Sequence, residues 1–247
     1  MSAAISPYDH LSQRCSYLIN KYLDPIITAE QQALSSSEPL PSPDFDSIAA
    51  LRLLSHAELE GYFEAKAKIA LNILDNDFLN QRVATSKFAS LIFLYMLKKQ
   101  ITKKWQAFGL NDDVSIRKSE SADFKELAQE ALGYGRQFIE ANNGIKENSI
   151  QILSGLMGYF SDELDPVLLN ELNQYGKKRG DVAHDSWTKN TRTFESAEIE
   201  KSRLLTILDL IKKFYEDGMI PASTKKSQSI YTFFSKWWKS CCLLYTS

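Results

Sequence analysis

Apolar residues recur at three- and four-residue steps through most of this 247-residue chain, the spacing that gathers them on one side of a helix. Phe63, Ala67, Ala70 and Leu74 form such a stripe, in a helix expected to start at Asp46 or Ser47 and to run to about Leu74. Phe88, Leu91, Ile92, Tyr95 and Ile101 predict a second helix, with Lys98, Lys99, Lys103 and Lys104 at its solvated end. Phe124, Leu127, Ala131, Tyr134 and Phe138 predict a third, stopped by Asn142-Asn143-Gly144. Ile150, Leu153, Met157 and Phe160 mark a short fourth. Pro166 suits the first turn of a fifth. Leu204, Ile207, Leu208, Ile211 and Phe214 mark a sixth, with Gly218 placed to end it. No stretch of comparable length alternates with period two, so the expected class is an all-α bundle.

Proline placement divides the chain. Pro39, Pro41 and Pro43 lie in a Ser-rich stretch from Ser35 to Asp46, and no proline follows until Pro166, which permits long helices between them. The layout expected is an N-terminal helix and Pro/Ser-rich linker over 1–45, a helical domain over 46–220, and a loose C-terminal tail over 221–247. The final residues, Cys242 to Ser247, resemble one reading frame of a transposase-type sequencing adaptor and are read as a sequencing or cloning scar. The alternative is a natural apolar tail.

Composition narrows the function classes. Hydrophobic residues make up 44% and charged residues 24%, with a net charge of −2, so a nucleic-acid site must be a local patch and not a global basic field. The cysteines, Cys15, Cys241 and Cys242, form neither a disulfide framework nor a zinc spacing and suit a reducing compartment. No secretory signal opens the chain, and the longest apolar run, Ala89 to Leu97, is too short to span a bilayer. A cytoplasmic protein without membrane contact is expected.

Only three histidines are present, His10, His56 and His184. His184 closes the segment Lys177-Lys178-Arg179-Gly180-Asp181-Val182-Ala183-His184. On a helix from Pro166, Leu168, Leu172, Tyr175, Arg179 and Val182 share one stripe, so Arg179 continues an apolar face. His184 then sits ~140° around and ~7.5 Å along from Arg179; both can line the rim of one cleft. Gly176 and Gly180 either bend this helix or make room for another backbone or a ligand. RNA carries its own nucleophile, the 2′-hydroxyl. Cutting it without metal takes a proton acceptor or donor near neutral pH and a cation on the phosphorane oxygens. A His and an Arg supply these, and Lys177 and Lys178 could hold flanking phosphates. The bland alternative has Arg179 paired with a core carboxylate and His184 at a helix end.

Arg52, His56 and Glu60 follow one another at four-residue steps on the first body helix. They form either a satisfied buried network or, functionally, a set in which Glu60 or His56 orients Arg179 and His184. Asp162, Glu163 and Asp165 read as loop and helix-start chemistry and not as a metal site. No phosphate loop, nucleophile elbow or metal signature is present, so no cofactor is expected.

The Arg179-x4-His184 spacing, preceded by Leu168-Leu169-Asn170-Glu171-Leu172, resembles the HEPN superfamily, closest to its RiboL-PSP-HEPN branch. Leu51 to Tyr62 and Asn143-Gly144-Ile145-Lys146-Glu147-Asn148 support the resemblance, which covers about Ile48 to Tyr215. It implies a helical bundle that forms a homodimer, in which Arg and His of two protomers build a composite, metal-independent endoribonuclease site. It also implies a role in toxin–antitoxin, abortive-infection or anti-phage systems, with an antitoxin or partner enzyme. Arg179 would then stabilise phosphate charge and His184 transfer protons. Many active relatives carry a polar residue directly after the Arg. Here Gly180 stands there and Asp181 follows, so the alternative is a non-catalytic HEPN module that binds RNA or a protein.

Overall fold

A computed structural model describes residues 5–79, 91–92, 94–95, 122–159, 163–184 and 195–218, excepting the side chains of 79, 122–124 and 181–184. The helices are α1 (Pro7–Tyr22), α2 (Asp24–Ser36), α3 (Phe45–Leu79), α4 (Ala122–Ala141), α5 (Glu147–Leu156), α6 (Pro166–His184) and α7 (Ala197–Ile211), with a single π-helical turn over Lys212–Glu216. No strand occurs among the described residues, so the all-α expectation holds. No described helix is long and apolar enough to cross a membrane. The tail over 221–247, Cys241 and Cys242 included, lies outside the described residues, as do most of the helix expected over Phe88–Ile101 and its four lysines. Of that helix, residues 91, 92, 94 and 95 are helical.

The body is organised around α3, which packs against α1, α4, α5 and α6. Its length follows from the absence of proline after Pro43. Its start lies two or three residues before the expected one. The cap is Asp44, whose carboxylate accepts the Ser47 backbone N–H at 3.0 Å and the Ser47 hydroxyl at 2.7 Å. These bonds hold the Asp44 carboxyl below its usual range. Asp46 and Ser47 therefore lie inside the first turn, because a capping oxygen must reach forward to the third helical residue.

The stripe residues Phe63, Ala67 and Leu74 are buried, as are Leu51, Leu59 and Leu71 on the same helix. Each such leucine contributes about 1.5–3 kcal/mol relative to exposure. The segment before the Pro/Ser-rich stretch is two helices instead of one. Leu11, Cys15, Leu18 and Ile19 of α1 belong to the same core as α3, so α1 is integral to the bundle. Burial pushes the Cys15 thiol up to about 12, which leaves it protonated and inert.

Of the acidic cluster before α6, Asp162 lies outside the described residues and Asp165 shows the expected helix-start chemistry. Asp165 accepts the Val167 N–H at 2.8 Å and caps the helix that Pro166 opens. At the other end of the chain, α7 passes into the π-turn, which brings Phe214 and Tyr215 into the core. Tyr215 meets Phe63 edge-on with ring centroids 5.4 Å apart, and its hydroxyl shares a 2.6 Å hydrogen bond with Ser154. Gly218 follows with φ 66°, the left-handed conformation that lets the chain leave a helix.

The deepest polar contact ties α3 to α7. Arg52, 1% exposed, is paired with Glu200, fully buried. Lys178 of α6 and Arg203 of α7 approach the same carboxylate at 4.0 and 3.8 Å. Removing one member of a buried pair strands the other charge, at a cost of about 3–5 kcal/mol. Urea unfolding of Glu200→Ala should show a loss of that size. The double variant Arg52→Met/Glu200→Leu, which removes both charges and keeps the volume, should recover most of it.

Candidate functional site

The candidate residues converge where α3, α6 and the α4–α5 connection meet. Leu168, Leu172 and Tyr175 of α6 are buried against the core. Tyr175 is anchored further by a 2.6 Å hydrogen bond to Ser55. That anchorage sets the rotation of the helix, and one turn later the same stripe presents Arg179, half-buried, to a cleft of about 140 Å³. The cleft is lined by His56 of α3, by Asn143, Gly144 and Lys146 of the connection, by Ser149 in the first turn of α5, and by Gly176, Arg179 and Gly180 of α6.

The two glycines of α6 have different uses. A Cβ at Gly176 would meet Lys146 Cγ at 3.2 Å and its backbone nitrogen at 3.7 Å, so the missing side chain lets the connection pass close to α6. A Cβ at Gly180 would meet nothing within 4 Å; this position faces open space. Buried Ile145 pins the connection, and Asn142 ties its start to α3 by donating to Glu64 at 2.8 Å and Glu60 at 3.4 Å.

The Arg52-His56-Glu60 series separates into two environments. Arg52 faces the core and its Glu200 partner. His56, 3% exposed, lines the cleft. Its Nδ1 lies 3.8 Å from a Glu60 oxygen, beyond hydrogen-bond reach. Burial, then the positive charges of Arg179 and Lys146, push its imidazole down to about 4, so it is neutral near pH 7. The Glu60 carboxyl is raised by burial and by Glu64, with Arg179 opposing the shift. Both groups are thus biased towards their uncharged forms around a cleft that keeps two cations.

Arg179 forms no hydrogen bond or ion pair with any described residue; the core carboxylate that could have claimed it is taken by Arg52. The lysines before it diverge. Lys177 is exposed. Lys178 turns away from the cleft to Glu195 at 2.5 Å, which also pairs with Arg203; Arg203 and then Lys178 hold the Glu195 carboxyl down at about 2. The backbone of α6 reaches His184, but the side chains of Asp181 and His184 lie outside the described residues. The structure therefore brings Arg179, His56 and, beside them, Glu60 together. It adds Lys146 and Ser149, which the sequence reading did not assign. The signal for Lys146 was its place just before a helix that opens without Ser, Thr, Asp or Asn at the cap.

A family model described as RiboL-PSP-HEPN matches residues 17–217. No curated protein and no solved structure matches the chain.

The depressed imidazole sets a pH dependence. Unfolded, His56 takes up a proton near its ordinary 6.5; folded, only near 4. Between those values the unfolded state binds more protons, so stability falls as pH drops through that window and is fully present above it. Chemical unfolding from pH 7 to 4 should show this loss, and His56→Gln should flatten its slope.

Proposed function

Since the chain belongs to the RiboL-PSP-HEPN family, we propose that it is a metal-independent endoribonuclease whose site is built on Arg179 and His184. The observation that carries this reading is Arg179 itself. It is a half-buried guanidinium on α6 facing a cleft that no described carboxylate lines; Glu60, beside the cleft, feels its charge but makes no ion pair with it. A permanently charged, planar cation held in that way is suited to the oxygens of a phosphate in transfer.

In this mechanism the 2′-hydroxyl attacks the adjacent phosphorus. His184 takes its proton, Arg179 balances charge on the non-bridging oxygens, and the 5′-oxygen leaves with a proton supplied by water, giving a 2′,3′-cyclic phosphate and a 5′-hydroxyl. Glu60 is a positioning group beside the Arg179 cleft, Lys177 is available for a flanking phosphate, and Lys178 serves that role only if it leaves Glu195. Asp181, one residue past the glycine, is a further polar candidate. Two protomers related by a two-fold axis would combine their sites into a homodimer. The working context is cytoplasmic toxin–antitoxin, abortive-infection or anti-phage defence, with an antitoxin or partner enzyme as regulator. The runner-up is a HEPN module that binds RNA or a protein without cutting, which Gly180 directly after Arg179 favours.

RNA incubated with the purified chain in excess chelator tests this. Arg179→Ala and His184→Ala should each lower cleavage by about 100-fold or more, with unfolding curves close to the parent's. Cleavage that is equal in parent and variants overturns the assignment. RNA retention without cleavage by the parent selects the binding module.

A further inference from the structure

The cleft holds more donors than one guanidinium requires. α5 begins at its edge with Lys146 at the cap position and no side chain bonding back to the first turn. The N–H groups of Glu147, Asn148 and Ser149 therefore lack intrahelical acceptors, and the helix presents partial positive charge at this end. Ser149, whose side chain can donate a further hydrogen bond, lines the same space. Lys146 and Arg179 add two full positive charges.

A second observation, independent of the helix end, also points to a ligand. His56 is 3% exposed and lines the cleft; the Glu60 oxygen beside its Nδ1 is 3.8 Å away, beyond hydrogen-bond reach. Buried polar groups are ordinarily partnered, so this imidazole is placed to donate to something that enters. Its neutrality spares the cleft a third positive charge while leaving one ring N–H to give.

We propose that this cleft is a phosphoryl-binding subsite, in which the first turn of α5 with Ser149, the cations Lys146 and Arg179, and the imidazole of His56 surround one tetrahedral anion. The size agrees. A cavity of roughly 150 Å³ takes a benzene-sized group, and the cleft measures about 140 Å³, which admits a phosphoryl group but not a nucleoside. Gly180, open on its Cβ side, leaves passage for the rest of a larger ligand. Gly176 is required because it lets Lys146 come close to α6. The inference rests on the reading of Arg179 as a phosphate-facing cation but not on RNA being cut. Its anion can be carried by an RNA backbone or arrive as a free ion.

The test is Ser149→Asp in the full chain. An acidic residue in the first turn suits the helix, so thermal unfolding should stay at or above the parent's. The same carboxylate repels an entering anion and should weaken binding at least about tenfold. Calorimetry is run with inorganic phosphate and, separately, with a 2′-O-methyl RNA hexanucleotide that cannot be cut. Lys146→Met is carried as a second variant. Saturable binding of inorganic phosphate that both variants weaken supports a site filled by the free ion. Binding confined to the RNA, again weakened by both, supports a site for the backbone phosphate. No saturable binding by the parent, or equal binding by parent and Ser149→Asp, overturns the proposal. His184→Ala keeps the two readings apart. Phosphate binding with no chelator-resistant cleavage leaves the subsite standing without the nuclease. Cleavage abolished by His184→Ala but unchanged in Ser149→Asp leaves the nuclease without the subsite.

Discussion

Glu200 is a carboxylate with no access to water, and the arrangement of charge in the bundle follows from satisfying it. Arg52 reaches it from α3, Lys178 approaches from α6 and Arg203 from the next turn of α7. A buried carboxylate surrounded in this way is a weak source of net stability but a strict specifier of arrangement, because each alternative packing leaves a charge stranded. It fixes the rotation of three helices relative to one another. It also decides which cations remain for other uses: Arg52 and Lys178 are consumed, and Arg179, one residue after Lys178, is turned the other way.

The cleft inherits its electrostatics from that division. Two positive charges face it without a described carboxylate lining it. The nearest carboxyl, Glu60, is drawn towards neutrality by burial and by Glu64, and is tied to Asn142. His56 is discharged by burial first and then by the same cations. A polar cavity lined by two cations and an idle donor is costly for folding alone, and such departures from the rules of a well-satisfied interior gather at sites that bind. The tight passage of Lys146 beside Gly176 points the same way, since a larger residue would give better helix propensity and a poorer cleft.

Much of the fold could be read along the chain. Periodicity located α3 to α7 because each carries an apolar face that must be buried, and Pro166 and Gly218 marked a start and an exit because backbone constraints act locally. The α3 cap was displaced by two or three residues, since Asp44, Asp46 and Ser47 are chemically equivalent candidates until the backbone selects the one whose side chain reaches forward to the third helical N–H. The π-turn over Lys212–Glu216 was not legible, because it arises from fitting Phe214 and Tyr215 into space left by other helices. For the site, the α6 stripe directed Arg179 towards the cleft, and of the alternatives for the two glycines, room for another backbone describes Gly176. The four-residue series Arg52, His56, Glu60 read as one cluster and is two, because a helix of 100° per residue drifts and its neighbours differ along its length.

What the order of amino acids determined alone is therefore local and periodic: most of the helices, such ends as Pro166 and Gly218, the inward face of α6, and the family to which the chain belongs. Only the tertiary structure decided which cation pairs with Glu200, which is left to face the cleft, and that the opening turn of α5 with Lys146 and Ser149 joins it. The reason is physical. Propensity and amphipathicity depend on residues within a few positions of one another, whereas the fate of a charge depends on which opposite charge the fold brings within a few ångströms, and Arg52 and Glu200 are separated by 148 positions.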